Sequence, residues 1–178
     1  MPAERIELET LVGLFFSQPD QFGEFVEVDA ESLPETPRRL LAHNHHMTVT
    51  VESFHGEPVE VEVLESDADG ESYWRKILLR RASDGGVVQF GIVRLNFRYV
   101  DPAVRAEIEQ QDTPLGRVLI EHNVLRKVEL HSLWRIMPGE ELSRHFGLDS
   151  PRVVYGRTAL IYCNGEPAVE LLEVVPEN

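Results

Sequence analysis

The sequence predicts an α+β fold in which an antiparallel sheet is covered on one face by helices. Several segments alternate apolar and polar residues, short turns join them, and the helical segments are grouped between the strands. Strands that form hairpins, with helices gathered between them, are typical of this fold class. A parallel doubly wound sheet is disfavoured, because its helices would alternate with its strands.

Period-two alternation predicts the strands. The clearest hairpin joins Thr48–Phe54 to Val59–Val63 through a turn at His55–Pro58. Further strands are expected at Tyr73–Arg80, Val87–Phe97, Val124–Ile136, Arg152–Tyr162 and Pro167–Val175. Tight turns are expected at Gly85 and Gly165, because glycine adopts positive φ without steric cost.

Helices are predicted from capping residues and apolar spacing. One is expected at Pro34–Ala42, a second opens at Asp101-Pro102, and a third begins at Thr113-Pro114. An apolar cluster between Leu8 and Phe16 predicts a docking helix inside a loose N-terminal strap. The predicted domain organisation is therefore a strap over residues 1–33 and a main domain over residues 34–178.

The charge balance limits the function. The chain has 17 Lys and Arg against 31 Asp and Glu, a formal net charge of −14. Nucleic acids and anionic membranes require a basic surface, so neither is an expected partner. With one cysteine and no opening apolar segment of signal-peptide type, the expected location is the cytoplasm.

Metal, cofactor and nucleophile motifs are not found. The run His43, His45 and His46 has no carboxylate or thiol at a familiar ligand spacing, so a solvated or supporting role is favoured over a metal site. There is no phosphate-binding loop, dinucleotide fingerprint or nucleophile elbow. No metal and no cofactor are predicted.

Charged residues embedded in apolar strands are the remaining candidates: Arg75, Arg94, Arg157 and Glu173. Each could simply point to solvent, because one face of an antiparallel sheet is often wet. Alternatively, a buried arginine would bind a carboxylate, and a glutamate in an apolar pocket would have a raised pKa and could donate a proton. Together they predict a site for a small carboxylated ligand.

The order of several motifs resembles the chorismate lyase family, from about Pro34 to Pro176. The resemblance rests on Met47-Thr48, the run from Tyr73 to Leu79, Asp84-Gly85, Gly91, the run from Thr113 to Arg117, Arg157, and Gly165-x-Pro167 followed by a strand glutamate. It implies a six-stranded antiparallel sheet with helical flaps over an internal site. It also implies a cofactor-free conversion of chorismate to 4-hydroxybenzoate and pyruvate.

The resemblance also implies site residues. Arg75 matches the arginine that holds a ligand carboxylate, Gly91 and Leu115 match positions whose backbone meets the ligand, and Met47 matches a flap residue. Two glutamates of the last strand, Glu170 and Glu173, are available as the acidic residue, and the spacing from Pro167 favours Glu173. Arg94 and Arg157 are additional candidates for binding the ligand.

The expected function is therefore that of a chorismate pyruvate-lyase, with Arg75 and Glu173 as catalytic residues. The alternative is a non-catalytic domain of the same fold that binds or senses a small aromatic acid, as in some transcription regulators. Such a sensor would need a partner, since the sequence lacks a basic recognition helix. A general carrier of aromatic acids would show the same sequence features.

Overall fold

The computed structural model describes residues 6–176. The helices are α1 (Leu8–Val12), α2 (Pro19–Phe22), α3 (Glu35–Leu41), α4 (Met47–His55), α5 (Pro102–Gln110), α6 (Leu115–Glu121) and α7 (Glu140–His145), with 3₁₀ turns at Ala30–Ser32 and Phe97–Tyr99. The strands are β1 (Gly23–Val28), β2 (Val59–Asp69), β3 (Ser72–Arg81), β4 (Val87–Asn96), β5 (Arg126–Pro138), β6 (Val154–Cys163) and β7 (Glu166–Val175).

These strands form one seven-stranded sheet in the order β1-β5-β6-β7-β4-β3-β2, and every neighbouring pair is antiparallel. The predicted α+β class and antiparallel sheet are confirmed. The sheet has seven strands where the resemblance implied six. None of the helices within residues 6–176 has both the length and the apolar character needed to cross a membrane.

Helices cover both faces of the sheet, not one as predicted. On the first face, α3 to α6 pack over apolar residues such as Ile77, Val93 and Leu171. On the second face, α1, α2 and α7 pack over Phe90 and Leu172 among others. Because side chains alternate along a strand, each central strand supplies a core on both sides.

The predicted strand at Thr48–Phe54 is instead helix α4. The buried residues of this segment are Met47, Thr48 and Val51. Thr48 lies one position and Val51 four positions after Met47, which places all three on one face of a helix. The helix ends at Gly56, whose φ of 69° is the left-handed conformation common after a helix. The glycine that suggested a hairpin turn is thus a helix terminator, and β2 pairs with β3 instead.

The N-terminal segment is part of the folded core. The predicted docking helix is α1, and the remainder of the predicted loose strap forms α2 and the edge strand β1, which pairs with β5. Phe22 at the end of α2 is fully buried, with its ring 6.2 Å from that of Phe90. Residues 1–5 of the strap lie outside the described residues, and the domain boundary at residue 33 remains a prediction.

Phe22 provides a test of this packing. We expect Phe22→Ala to lower the free energy of unfolding by about 3–5 kcal/mol, because it removes a buried ring and leaves a cavity. Val26→Ala on the neighbouring strand is the control, since Val26 is 54% exposed and should change little. Urea denaturation measures both variants. Equal, small effects would show that the N-terminal layer contributes nothing to stability.

Candidate functional site

A cavity lies between the first face of the sheet and the helices above it. The sheet side is formed by Val61, Arg75, Ile77, Leu79, Gln89, Gly91, Val93, Val128, Arg157, Ile161, Leu171 and Glu173. The roof is formed by His46, Met47 and Thr48 at the start of α4 and by Pro114, Leu115 and Gly116 at the start of α6. Its volume is about 40 Å³, which is room for a few water molecules.

The cavity brings together most of the residues predicted for the site: Met47, Arg75, Gly91, Leu115, Arg157 and Glu173. Arg94 and Glu170 lie elsewhere, as register partners on β4 and β7 whose side chains form an ion pair. Each is the immediate neighbour of a cavity-facing residue, Val93 or Leu171, so both point to the opposite face. Of the two candidate glutamates, Glu173 is therefore the one that faces the cavity.

The Arg75 guanidinium is buried and has no counter-ion among the described residues. The residue is 1% exposed, and its Nε has no hydrogen-bond partner within residues 6–176. One Nη atom lies 3.5 Å from the Ile108 carbonyl oxygen, at the limit of a hydrogen bond. Burial lowers the pKa of Arg75, and the neighbouring Tyr73 hydroxyl partly offsets this. Within residues 6–176, no carboxylate forms an ion pair with Arg75.

Arg157, by contrast, is fully paired. Its Nε donates to Glu173 at 2.9 Å, and its two Nη atoms donate to the carbonyl oxygens of His43 and His45, each at 2.9 Å. Glu173 also accepts a hydrogen bond from Gln89 Nε2 at 3.3 Å. The predicted proton-donor role of Glu173 required apolar surroundings. The carboxylate instead contacts the Arg157 guanidinium and the Gln89 amide.

The charges of Arg157 and Glu173 balance each other. Arg75 is then the one cavity-lining charge that no described residue offsets. A site with this arrangement can hold a small anion.

The histidine run supports the site through its backbone. His43 and His45 supply carbonyl oxygens to Arg157, and His43 itself contacts the Leu40 carbonyl at 2.6 Å. Among residues 6–176, no group of three or more His, Cys, Asp or Glu side chains is arranged to hold a metal ion. The supporting role predicted for this run matches its position.

His46 forms part of the cavity wall. Arg126 Nε donates to His46 Nε2 at 2.8 Å. Burial, with a smaller effect of Arg126, lowers the pKa of His46 to about 4, so the ring is neutral near pH 7 and carries its proton on Nδ1. A Cβ added to Gly116 would lie 3.2 Å from both His46 Nδ1 and Thr48 Oγ1, so the glycine allows α6 to approach α4 closely.

Sequence reasoning missed Gln89, His46, Thr48 and Gly116 as cavity residues. Gly116, inside the helix predicted to begin at Thr113-Pro114, was a usable signal, since a helical glycine often marks close packing. Gln89 lies in an alternating strand, but nothing local shows which face is enclosed.

Protein-family models and the curated proteins give no match to this chain. Solved structures do resemble it. The effector domain of PhnF from Mycobacterium smegmatis has a TM-score of 0.53 and 12% identity over 74% of this chain and 88% of that domain. A putative regulator from Escherichia coli CFT073 has a TM-score of 0.51 and 14% identity over 66% of this chain and 96% of its own.

A longer PhnF structure from Mycobacterium smegmatis has a TM-score of 0.50 and 13% identity over 72% of this chain. The matched part covers 62% of that protein, which is less than two thirds of its length. At this level of identity the comparisons establish the fold alone. They show that the chain shares the fold of regulator effector domains, the fold class that the resemblance also implied.

The predicted chorismate lyase activity is wrong. The similar structures reported above are the effector domain of PhnF, a longer PhnF structure and a putative regulator, rather than lyases. The pairing of Glu173 with Arg157 agrees with this correction, because the predicted acid already contacts a guanidinium.

The Arg157–Glu173 pair can be tested by stability. We expect Arg157→Met to lower the free energy of unfolding by about 3–5 kcal/mol, because it leaves Glu173 buried and unpaired. Adding Glu173→Gln should restore part of this loss by removing that charge. Arg94→Met is the matched control, because it breaks an ion pair that is partly open to solvent and worth about 1 kcal/mol. Chemical denaturation of the variants distinguishes the two pairs, and equal losses would contradict this assignment.

The lowered pKa of His46 predicts acid sensitivity. Between pH 6.5 and about 4 the unfolded chain binds a proton at His46 that the folded protein does not, so stability falls as the pH falls through this window. We expect the unfolding temperature of His46→Gln to depend less steeply on pH, since glutamine can still accept from Arg126. Parallel slopes for both proteins would show that His46 protonates equally in the folded and unfolded states.

Proposed function

We propose that this chain is a non-catalytic domain that binds a small organic anion in the cavity, with Arg75 as the anion receptor. The observation that carries the proposal is the buried Arg75 guanidinium, which no carboxylate within the described part of the chain offsets. Removing a charge from water costs several kcal/mol unless a partner offsets it. An anionic ligand supplies that partner.

Chemistry favours a carboxylate as the anionic group. The planar guanidinium matches a carboxylate through two parallel hydrogen bonds. One unmatched positive charge is neutralised by one carboxylate, whereas a dianion would leave an excess negative charge in a buried site. The surrounding side chains of Ile77, Leu79, Val93 and Leu171 favour an apolar body. An aromatic acid satisfies both requirements.

The fold similarity supports binding without turnover, since one similar structure is an effector domain of a regulator. In a sensor of this kind, occupancy of the cavity is the signal and a partner protein reads it. At about 40 Å³ the cavity must widen to admit a six-membered ring.

Thermal unfolding with benzoate and 4-hydroxybenzoate tests the proposal. At 100 times the dissociation constant, a ligand adds about 2.7 kcal/mol to the free energy of unfolding. At this chain length that corresponds to roughly 5–10 °C. We expect Arg75→Met to abolish the shift and Arg94→Met, which alters an arginine outside the cavity, to retain it.

Arg75→Met should also leave the stability of the ligand-free protein unchanged or raised, because it removes an unpaired buried charge. That result distinguishes a residue kept for binding from one kept for stability. The proposal fails if neither acid shifts the wild-type transition, or if the shift persists in Arg75→Met.

A further inference from the structure

The cavity contains a second buried polar atom without a partner, the side-chain oxygen of Gln89. Gln89 is 3% exposed and lies on β4. Its Nε2 donates to Glu173 at 3.3 Å. Because a carboxylate only accepts hydrogen bonds, the amide must present nitrogen to Glu173 and oxygen elsewhere. Within the described part of the chain, Gln89 Oε1 has no donor.

Gln89 and Arg75 occupy opposite ends of the cavity floor. Arg75 is opposite Val93 in the register of β3 and β4, and Gln89 is opposite Leu79. Val93 and Gln89 are four residues apart along β4, so the backbone positions of the two pairs are about 13 Å apart. Gly91 lies midway and adds no side chain to the floor. Both side chains line the same cavity, so a ligand that extends along the cavity floor contacts both.

We propose that the ligand is a monoanionic acid that carries an uncharged hydrogen-bond donor at the end opposite its carboxylate, and that Gln89 Oε1 accepts from this donor. The inference rests on the proposed function, in which Arg75 binds the carboxylate. It adds the requirement that the ligand carry a hydrogen-bond donor, which binding to Arg75 alone does not impose.

The charge balance selects an uncharged donor. Glu173 is the nearest carboxylate to Gln89, and Arg157 already offsets its charge. An ammonium at this end would therefore restore an unmatched positive charge to a buried site. A hydroxyl or an aromatic amine donates a hydrogen bond and adds no charge.

Such a site discriminates against acids that lack the donor. A ligand that carries the donor gains a hydrogen bond to a buried acceptor, whereas a ligand without it leaves Gln89 Oε1 unpaired. We expect a preference of about ten-fold or more for the donor-bearing acid.

Calorimetric titration with three matched acids tests the inference. 4-Hydroxybenzoate and 4-aminobenzoate carry a donor, whereas 4-fluorobenzoate has similar size and no donor. We expect the wild-type protein to bind the first two about ten-fold more tightly than the third. Gln89→Leu should lose this preference by weakening the two donor acids without weakening 4-fluorobenzoate.

Two further variants keep the test decisive. Gln89→Met is a second removal of the acceptor should the leucine variant fail to fold. Gln110→Leu, at an exposed position at the end of α5, is the control and should retain the wild-type preference.

The outcomes separate this inference from the proposed function. Equal binding of the three acids by the wild type, or a preference that survives loss of the Gln89 amide, overturns the role of Gln89 while anion binding by Arg75 stands. If the wild type binds none of the three acids, both proposals are overturned.

Discussion

The buried Arg157 guanidinium is the constraint on which the cavity depends. It joins β6 to β7 through Glu173 and fixes the segment before α4 through two backbone carbonyl groups, those of His43 and His45. A buried guanidinium must have its N–H groups satisfied, so the chain leading into α4 is held above the sheet rather than collapsed against it. The roof of the cavity is thus positioned by a charge at its floor.

The cavity contains two buried arginines, Arg75 and Arg157, whose positive charges are treated differently by the fold. Arg157 is surrounded by acceptors that the fold supplies, and it therefore serves the structure. Arg75 has no counter-ion among residues 6–176 and lowers the stability that apolar packing would otherwise give. Proteins tolerate such losses where a function needs them. Two arginines on the same face of the sheet, one on β3 and one on β6, therefore differ in what surrounds their charge.

Local pattern was sufficient for the later strands and for α5 and α6, and it singled out Arg75, which lines the cavity, but it was not sufficient for features that depend on distant partners. Alternation at Val49 and Val51 fits a strand as well as a helix, and the surrounding packing decides for α4. The choice between Glu170 and Glu173 needed the observed register, since one residue reverses the face. The pairing of Glu173 with Arg157 likewise depends on the register of β6 and β7, which the local sequence pattern does not show.

Strand β4 gives the sheet a property that follows from its two covered faces. Gln89, Gly91 and Val93 face the cavity, whereas Phe90 and Ile92 pack against the N-terminal layer that includes Leu8 and Leu11. Consecutive residues of one strand therefore contact the cavity and the opposite core. A change in the twist of β4 would alter the packing of α1 on the other face of the sheet without passing through any loop.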